Sequence, residues 1–476
     1  NVYFCAMRRN KPQPPIEKLT IDGIAQTGTG VGRTPDGQVI FVKGAIPGDI
    51  VSVTVQKKRR RHLEGKVSNI IKASPDRIEA VCDHFGVCGG CSWQHMSYEA
   101  QLRHKQTEVN EALARIGGLE NVNYAPIIGC EETFAYRNKM EFSFSARRWL
   151  SFEEINGDNK IEDRTALGFH IPGMWDKIVD IEHCHIQPDL PNKIRNEIRN
   201  YAREHKLSFY DPRKQKGFLR SLMLRTTLSG ELMVVMQFFH EDKVAQTGLL
   251  TYLKETFPEI TSLQYIINEK GNDTIYDQEI HCFSGTAYIT EKMGDLSFRI
   301  TPKAFYQTNP AQAEVLYAKA LAMAQLKPTD VVYDLYTGLG TIAQYVAHAC
   351  KKVVGVESVP DAIVAAKENA KRNKIDNATF KVGDMRKVFT DGFVKRYKTP
   401  DVIITDPPRD GMHKDVVEQL LEVSPSKILY ISCNPSTQAR DLAMLKAAYK
   451  VELSQAVDMF PHTQHVENIV LLSKRL

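Results

Sequence analysis

Cys433 stands in Ile431-Ser432-Cys433-Asn434-Pro435 after an apolar run, and Glu467 stands in His465-Val466-Glu467 just ahead of another, Ile469 to Leu472. A cysteine thiolate is a strong nucleophile and a capable leaving group. A carboxylate beside it can take a proton from an adduct. The pair suits covalent catalysis, in which sulfur adds to an electron-poor carbon and a base later lets it leave. Alone, Cys433 reads as a small buried core residue, and a surface charge is the alternative reading of Glu467. Thr405-Asp406-Pro407-Pro408-Arg409 changes that balance, because Asp406 supplies a carboxylate and Arg409 a fixed positive fork at the end of a further apolar run. Pro435 is expected to block helix continuation and stiffen the loop that presents Cys433.

A second group of residues is patterned as a nucleoside site. Asp334-Leu335-Tyr336-Thr337-Gly338-Leu339-Gly340 lies where a strand should give way to a helix. Glycine lets a backbone pass close to a ligand, and ligands bind at the carboxyl ends of strands in open α/β sheets. Glu357 follows Val353-Val354-Gly355-Val356, where an acid can accept both hydroxyls of a ribose. Two features favour S-adenosylmethionine over NAD. Ala343 stands where the dinucleotide fingerprint has its third glycine, and Gly383-Asp384 follows strand-like Thr379 to Val382, where a methyltransferase holds the adenine amino group.

These residues need a scaffold, and the chain changes texture along its length. Residues 16–72 read as an all-β module, with Asp49 to Val55 alternating cleanly and glycines marking the turns. Small barrels of this kind commonly bind oligonucleotides. Tyr98 to Ile116 looks helical and ends at Gly117-Gly118. Residues 126–300 are rich in strand signals (Met140 to Phe144, Phe218 to Leu224, Leu232 to Phe238) around a helical Glu197 to His205, which predicts an α+β domain with an antiparallel sheet. After about residue 305, strands alternate with helices, the mark of a doubly wound, mostly parallel sheet. The expected fold is multidomain: a small OB-like β-barrel over 16–74, a central α+β domain over 75–95 and 126–303, and a Rossmann-like α/β domain over 96–125 and 304–476.

Composition bounds the rest. The chain has 476 residues, 42% hydrophobic and 25% charged, which is ordinary globular composition. No apolar run reaches the roughly 18 residues of a membrane span, and Asn1 to Ala6 are too few for a signal-peptide core. A cytoplasmic protein is expected. The net charge of +5 says little, but Lys57, Lys58, Arg59, Arg60, Arg61 and His62 form an unbroken basic run, either a solvated face or a phosphate contact. Nine cysteines are too few for a disulfide scaffold. Cys82, Cys88 and Cys91 are clustered, whereas Cys5, Cys130, Cys184, Cys282, Cys350 and Cys433 are scattered. Glycines between Cys88 and Cys91 allow a tight wrap around a metal centre, and an iron–sulfur cluster needs a fourth cysteine from elsewhere. Zinc, with His84, His95 or His183, is the alternative metal.

Six segments in order resemble the RNA uridine-5-methyltransferase family, in particular its TRAM-domain branch acting on bacterial 23S ribosomal RNA. They are Phe305-Tyr306-Gln307-Thr308-Asn309, Asp334 to Gly340, Val354-Gly355-Val356-Glu357, Asp406-Pro407-Pro408-Arg409, Ser432-Cys433-Asn434-Pro435 and His465-Val466-Glu467. The resemblance covers nearly the whole chain. It implies a TRAM barrel, S-adenosylmethionine as methyl donor, Cys433 as nucleophile and Glu467 as base. It implies that Gln307, Tyr336, Gly338, Thr341, Glu357 and Asp384 line the cofactor site, with Asp406 between cofactor and target base. Thr337 and Thr341 stand where many members carry Cys and Asn. It also implies a 4Fe-4S cluster on Cys82, Cys88, Cys91 and Cys184, with Cys130 as competitor for the fourth place, in a structural role.

The same resemblance places RNA against the basic run and against Arg137 and Lys139 of Tyr136-Arg137-Asn138-Lys139. A uridine in folded RNA must be turned out to reach Cys433, and Phe305 and Tyr306 are candidates to stack on it or on the adenine. The expectation is a cytoplasmic, monomeric enzyme acting on ribosomal RNA. Transfer RNA is the alternative substrate. A non-catalytic RNA-binding protein would need a lesion among Cys433, Glu467 and Asp406, and a dinucleotide-dependent iron–sulfur redox enzyme would need the missing glycine.

Overall fold

Alternation of buried and exposed side chains builds the amino-terminal strands β1 (Ile16–Ile24), β2 (Gly30–Arg33), β3 (Val39–Lys43), β4 (Ile50–Lys58) and β5 (His62–Lys72). They close into a barrel in the order β1-β2-β3-β5-β4. Leu19, Ile21, Ile40, Val42, Val51, Val53 and Leu63 fill it, as the period of two in a half-buried strand requires. This computed structural model describes residues 14–158 and 161–475, so Cys5 and Asn1 to Ala6 lie outside the described residues. The chain divides into two compact units. The smaller holds the barrel, the chain on to Gly86, Gly90–His104 and His462–Gln464, and the larger holds Val87–Gly89, Lys105–Pro461 and the chain from His465 onward.

The helix expected over Tyr98 to Ile116 is α-helical only over Tyr98–Glu111. Ala112–Ile116 widens into a π-turn, with the Gly117 amide donating to the Ala112 carbonyl at 3.2 Å. Val109, Ala112 and Leu113 are all buried in the larger unit.

In the larger unit, β6 (Tyr124–Ile128) precedes a seven-stranded sheet. Its strands are β7 (Lys139–Ser145), β8 (Ala166–Ile171), β9 (Met174–Asp180), β10 (Leu219–Thr226), β11 (Leu232–Phe238), β12 (Ile260–Ile267) and β13 (His281–Gly285), in the order β13-β12-β11-β10-β7-β8-β9. The sheet is not wholly antiparallel as expected: β11 and β12 run parallel. The helix Lys243–Thr256 between them is the crossover that a parallel pair needs. A two-stranded ribbon, β14 (Ile289–Met293) and β15 (Leu296–Ile300), follows.

The carboxyl-terminal sheet contains β16 (Val331–Leu335), β17 (Lys352–Glu357), β18 (Ala378–Val382), β19 (Val402–Thr405), β20 (Lys427–Ser432), β21 (Tyr449–Val457) and β22 (Glu467–Lys474), with β6 returning to pair at its edge. The order is β18-β17-β16-β19-β20-β22-β21-β6. The first five are parallel, and β22 is antiparallel to both neighbours. Val332, Ile404, Leu429 and Ile431 pack on one face, and Tyr333, Ile403, Ile428 and Tyr430 on the other. A sheet buried on both faces explains why these strands read as continuous apolar runs. Among the described residues, no helix is long and apolar enough to cross a membrane.

Candidate active site

The chain turns sharply after β16. Tyr336, Gly338 and Gly340 all have positive φ, at 62°, 53° and 74°. At Gly340 a Cβ would lie 2.6 Å from the Phe380 ring, whereas at Gly338 it would meet nothing within 4 Å. Gly340 is thus required by packing, and Gly338 leaves open space above the turn. The Gly338 amide donates to Glu357 Oε2 at 3.2 Å, and the other Glu357 oxygen accepts from the Ser358 and Val359 amides at 2.6 and 3.0 Å. Thr341 begins the next helix, Thr341–Val346.

Beneath this turn, Asp334 is fully buried. Its Oδ2 accepts from the Thr337 hydroxyl and, at 3.1 Å, from the Ala343 amide, while Oδ1 has no hydrogen-bond partner. Burial, with the negative charges of Asp406 and Glu357, raises its carboxyl to about 7 against the Thr337 and Ala343 bonds. A buried acceptor lacking a protein donor, next to open space over Gly338 and the Glu357 carboxylate, fits a cationic nucleoside ligand such as S-adenosylmethionine.

Tyr336 has its hydroxyl raised to about 12 by burial and by the charges of Asp441, Asp384 and Glu357. Asp384 itself is engaged by its own neighbour Arg386, with Nη2 at 2.8 Å from Oδ2, and is held down to about 2 by that partner. Gln307 bonds the buried Tyr317, whose hydroxyl is raised well above its usual value by burial and by Asp406. Nothing in the sequence singles out Tyr317, because an aromatic on a helix reads as core; it sits on Pro310–Ala324.

The nucleophile loop leaves β20. Pro435 does not stop a helix, as expected, but starts one: it is the first residue of Pro435–Leu445, with Asn434 as N-cap accepting from the Ser436 amide at 3.1 Å. Proline suits that position because its missing N–H would have no partner there. Cys433 therefore lies just outside a helix amino terminus. The last cross-strand partners of β20 and β22 are Ser432 and Asn468, the neighbours in sequence of Cys433 and Glu467, so the two reach the same end of that strand pair. Gln438 locks that end of the ladder, its amide donating to Tyr430 O at 2.9 Å and Asn468 O at 3.1 Å.

Electrostatics tie the group together. Burial, then the charges of Glu467 and Asp406, push the Cys433 thiol up to about 12, and Arg409 pulls the other way. Glu467 is buried, and burial with the Asp406 charge raises its carboxyl well above the usual range. Burial raises Asp406 to about 7. Arg409 lies 3.3 Å from His465 Nδ1, and burial followed by the charges of Arg409, Lys105 and Arg137 pushes that imidazole down to about 4. The arrangement holds a protonated thiol among protonatable carboxyls, which can exchange protons with a bound substrate.

Two aromatic candidates separate. Phe305 is 73% exposed, whereas Tyr306 is 3% exposed, packed in the core and unable to stack on a base. Arg225 holds their segment by donating to Ala304 O at 2.9 Å and Tyr306 O at 3.3 Å. Arg137 Nη1 lies 3.3 Å from Thr308 Oγ1, and Lys139 pairs with Glu141 at 2.7 Å. In the smaller unit, Arg59, Arg60 and Arg61 make the exposed turn between β4 and β5. Glu64 partly neutralises that run, pairing with Lys57 at 3.5 Å and Arg59 at 3.1 Å; Lys58 ends β4.

Among the described residues no cysteine forms a disulfide. Cys88 and Cys184 pack against the same apolar cluster of Ile171, Val179 and Ile181 in the larger unit. Cys82 and Cys91 belong to the smaller unit. Cys130 is engaged elsewhere, its thiol donating to Asp458 O at 3.0 Å. Four thiols suit iron–sulfur ligation by type, but among the described residues no group of three or more His, Cys, Asp or Glu side chains is gathered to hold a metal ion.

Comparison with known proteins bears on the site. A family model described as tRNA (Uracil-5-)-methyltransferase matches residues 206–475, and a TRAM domain model matches residues 16–68. An uncharacterized RNA methyltransferase of Bacteroides thetaiotaomicron is 48% identical over 95% of this chain and 100% of that protein. One of Porphyromonas gingivalis is 49% identical over 95% and 99%. Among solved structures, a Pyrococcus abyssi tRNA (uracil-54, C5)-methyltransferase in complex with S-adenosyl-L-homocysteine aligns with TM-score 0.73 and 28% identity, covering 96% of this chain and 100% of that one.

Proposed function

Since this chain belongs to the tRNA (uracil-5-)-methyltransferase family and is an S-adenosylmethionine-dependent RNA methyltransferase, we propose that it methylates carbon 5 of a uridine in 23S ribosomal RNA through a covalent adduct with Cys433. The observation that supports the mechanism is the β20–β22 pairing, which ends at the neighbours of Cys433 and Glu467, with the charges of Glu467 and Asp406 acting on the Cys433 thiol. Carbon 5 of uracil is a poor nucleophile. The Cys433 thiol gives up its proton to the Asp406 carboxylate as sulfur bonds to carbon 6, the ring's electrons move toward carbon 5 as an enolate, and that proton returns to the sulfur when it leaves. S-adenosylmethionine supplies an electrophilic methyl group to that carbon. Glu467 then takes the carbon 5 proton, the ring double bond re-forms, and the carbon 6–sulfur bond breaks. Asp406 faces the base from the cofactor side. Gln307, Tyr336, Gly338, Thr341, Glu357 and Asp384 would hold the donor.

The wider reading keeps the three-part division made from the sequence, with Lys57, Lys58, Arg59, Arg60, Arg61, Arg137, Lys139 and Phe305 touching RNA. It includes a structural 4Fe-4S cluster on Cys82, Cys88, Cys91 and Cys184, and a monomer working in the cytoplasm. Transfer RNA is the second reading, favoured by the similarity to the Pyrococcus abyssi tRNA (uracil-54, C5)-methyltransferase. Incubating the enzyme with 23S ribosomal RNA and with transfer RNA, each from cells lacking it, tests the choice. 5-Methyluridine should form in the ribosomal RNA alone. Cys433→Ala should abolish turnover and Glu467→Gln should trap an adduct stable to denaturation. An active Cys433→Ala enzyme would refute the mechanism.

A further inference from the structure

At the β9 edge of the central sheet, two short segments meet. One is the start of β9, where Trp175 is 62% exposed beside exposed Met174. The other is the turn Asp211-Pro212-Arg213-Lys214-Gln215-Lys216. It is closed by the Asp211 amide donating to Lys216 O at 2.7 Å and bent by the left-handed Gln215, φ 51°. Arg213, Lys214 and Lys216 are all exposed. The Arg213 guanidinium lies 5.9 Å from the Trp175 ring centroid.

The charges are built in a particular way. Asp176 and Asp211 are 5% and 8% exposed. Asp176 accepts from Arg213 Nε at 2.6 Å and from Arg147 Nε at 3.1 Å, and Arg147 lies 3.8 Å from Asp211. Lys177 sits close enough to Arg147, Arg164 and Arg213 for their charges to add to burial in lowering its ammonium. The carboxylates are underneath, and they act as struts that fix the exposed Arg213 fork and the half-buried Arg147 beside it. A flat exposed aromatic ring with a held guanidinium beside it and further exposed cations on the same turn is what an unpaired nucleic-acid strand requires, one element for a base and the others for phosphates. A protein-docking face would instead show a larger apolar core with few charges in it.

We propose that Trp175 and the turn Arg213–Lys216 form an auxiliary RNA-contact surface that stacks an unpaired base and grips the phosphates beside it, away from the reacting uridine. The proposal rests on RNA being the substrate. Its role is to lengthen the RNA footprint, so it acts on binding and not on chemistry.

The test uses the full chain with Trp175→Ala and Lys214→Glu/Lys216→Glu variants. A base stacking on Trp175 quenches its emission, so poly(uridylate) should quench the wild type and not Trp175→Ala. Heparin, a polyanion without bases, should not quench. With total RNA from cells lacking the enzyme, Trp175→Ala should raise KM about tenfold at unchanged kcat, the loss expected for one stacked base. The double variant should weaken binding and flatten its salt dependence. Equal quenching by heparin, or unchanged KM in both variants, would overturn the proposal. So would an acidic protein that loses its binding in the variants while RNA does not. If the wild type fails to methylate this RNA, the substrate reading fails, and the quenching result still decides the surface.

Discussion

The side-chain amide of Asn434 donates to the main-chain carbonyl of Arg409 at 3.0 Å, fastening the loop after β20 to the loop after β19. The same Asn434 caps the following helix through its other side-chain atom. One residue therefore sets the spacing of Cys433 and Arg409. Asn434→Ala should cost about 1 kcal/mol of stability for the lost cap. It should lower kcat by roughly a hundredfold, the penalty of an ångström-scale misplacement. Asn434→Asp keeps an acceptor for the cap and loses the donor to Arg409. It should restore the melting temperature without restoring kcat, and steady-state kinetics beside thermal melts would show whether the two roles separate.

A thiol held at about 12 is protonated at neutral pH in the ligand-free enzyme. Only the thiolate alkylates, so labelling of Cys433 by iodoacetamide should be slow at neutral pH and should climb steadily as pH rises toward 12. Replacing Glu467 with Gln removes a negative charge that opposes thiolate formation, so the pKa should fall and labelling at a fixed alkaline pH should speed up. Peptide mapping of the labelled site measures both. Fast labelling of wild-type Cys433 at neutral pH would contradict this electrostatic picture.

Lys105 and Asp458 form a fully buried ion pair, 2.6 Å between Nζ and Oδ1, and Lys105 also donates to Phe460 O at 3.1 Å. Removing one partner strands a buried charge, which costs about 3 to 5 kcal/mol. Lys105→Met should destabilise the enzyme by that amount in denaturant titrations. Because Asp458 anchors the chain that runs on to Glu467, the variant should also lose activity under conditions where it remains folded.

The proposed cluster predicts iron and acid-labile sulfide in equal amounts in anaerobically purified enzyme. Cys184→Ser should lower the iron content, since a hydroxyl replaces one of four thiolates. Cys130→Ser should leave it unchanged, as that thiol is committed to Asp458 O. Iron analysis decides between them, and zinc in place of iron would redirect the assignment.

The sequence alone singled out the candidate residues and the parallel part of the sheet they sit on. Apolar runs of strand length between helical stretches imply a parallel α/β sheet, and Asp334, Glu357, Asp406 and Cys433 each fall at the end of such a run. That inference is local, because hydrophobic period and strand ends are properties of neighbours in the chain. The tertiary structure decided what depends on partners distant in sequence. The antiparallel insertion of β22 beside β20 brings Glu467 back to Cys433. The helix Lys243–Thr256 turns one strand pair parallel. Packing buried Tyr306 while leaving Phe305 in solvent, and Pro435, read as a helix stop, became the start of a helix. Burial raised the carboxyls of Asp334, Asp406 and Glu467. Desolvation and charge proximity are sums over three-dimensional surroundings, and no spacing along a chain encodes them.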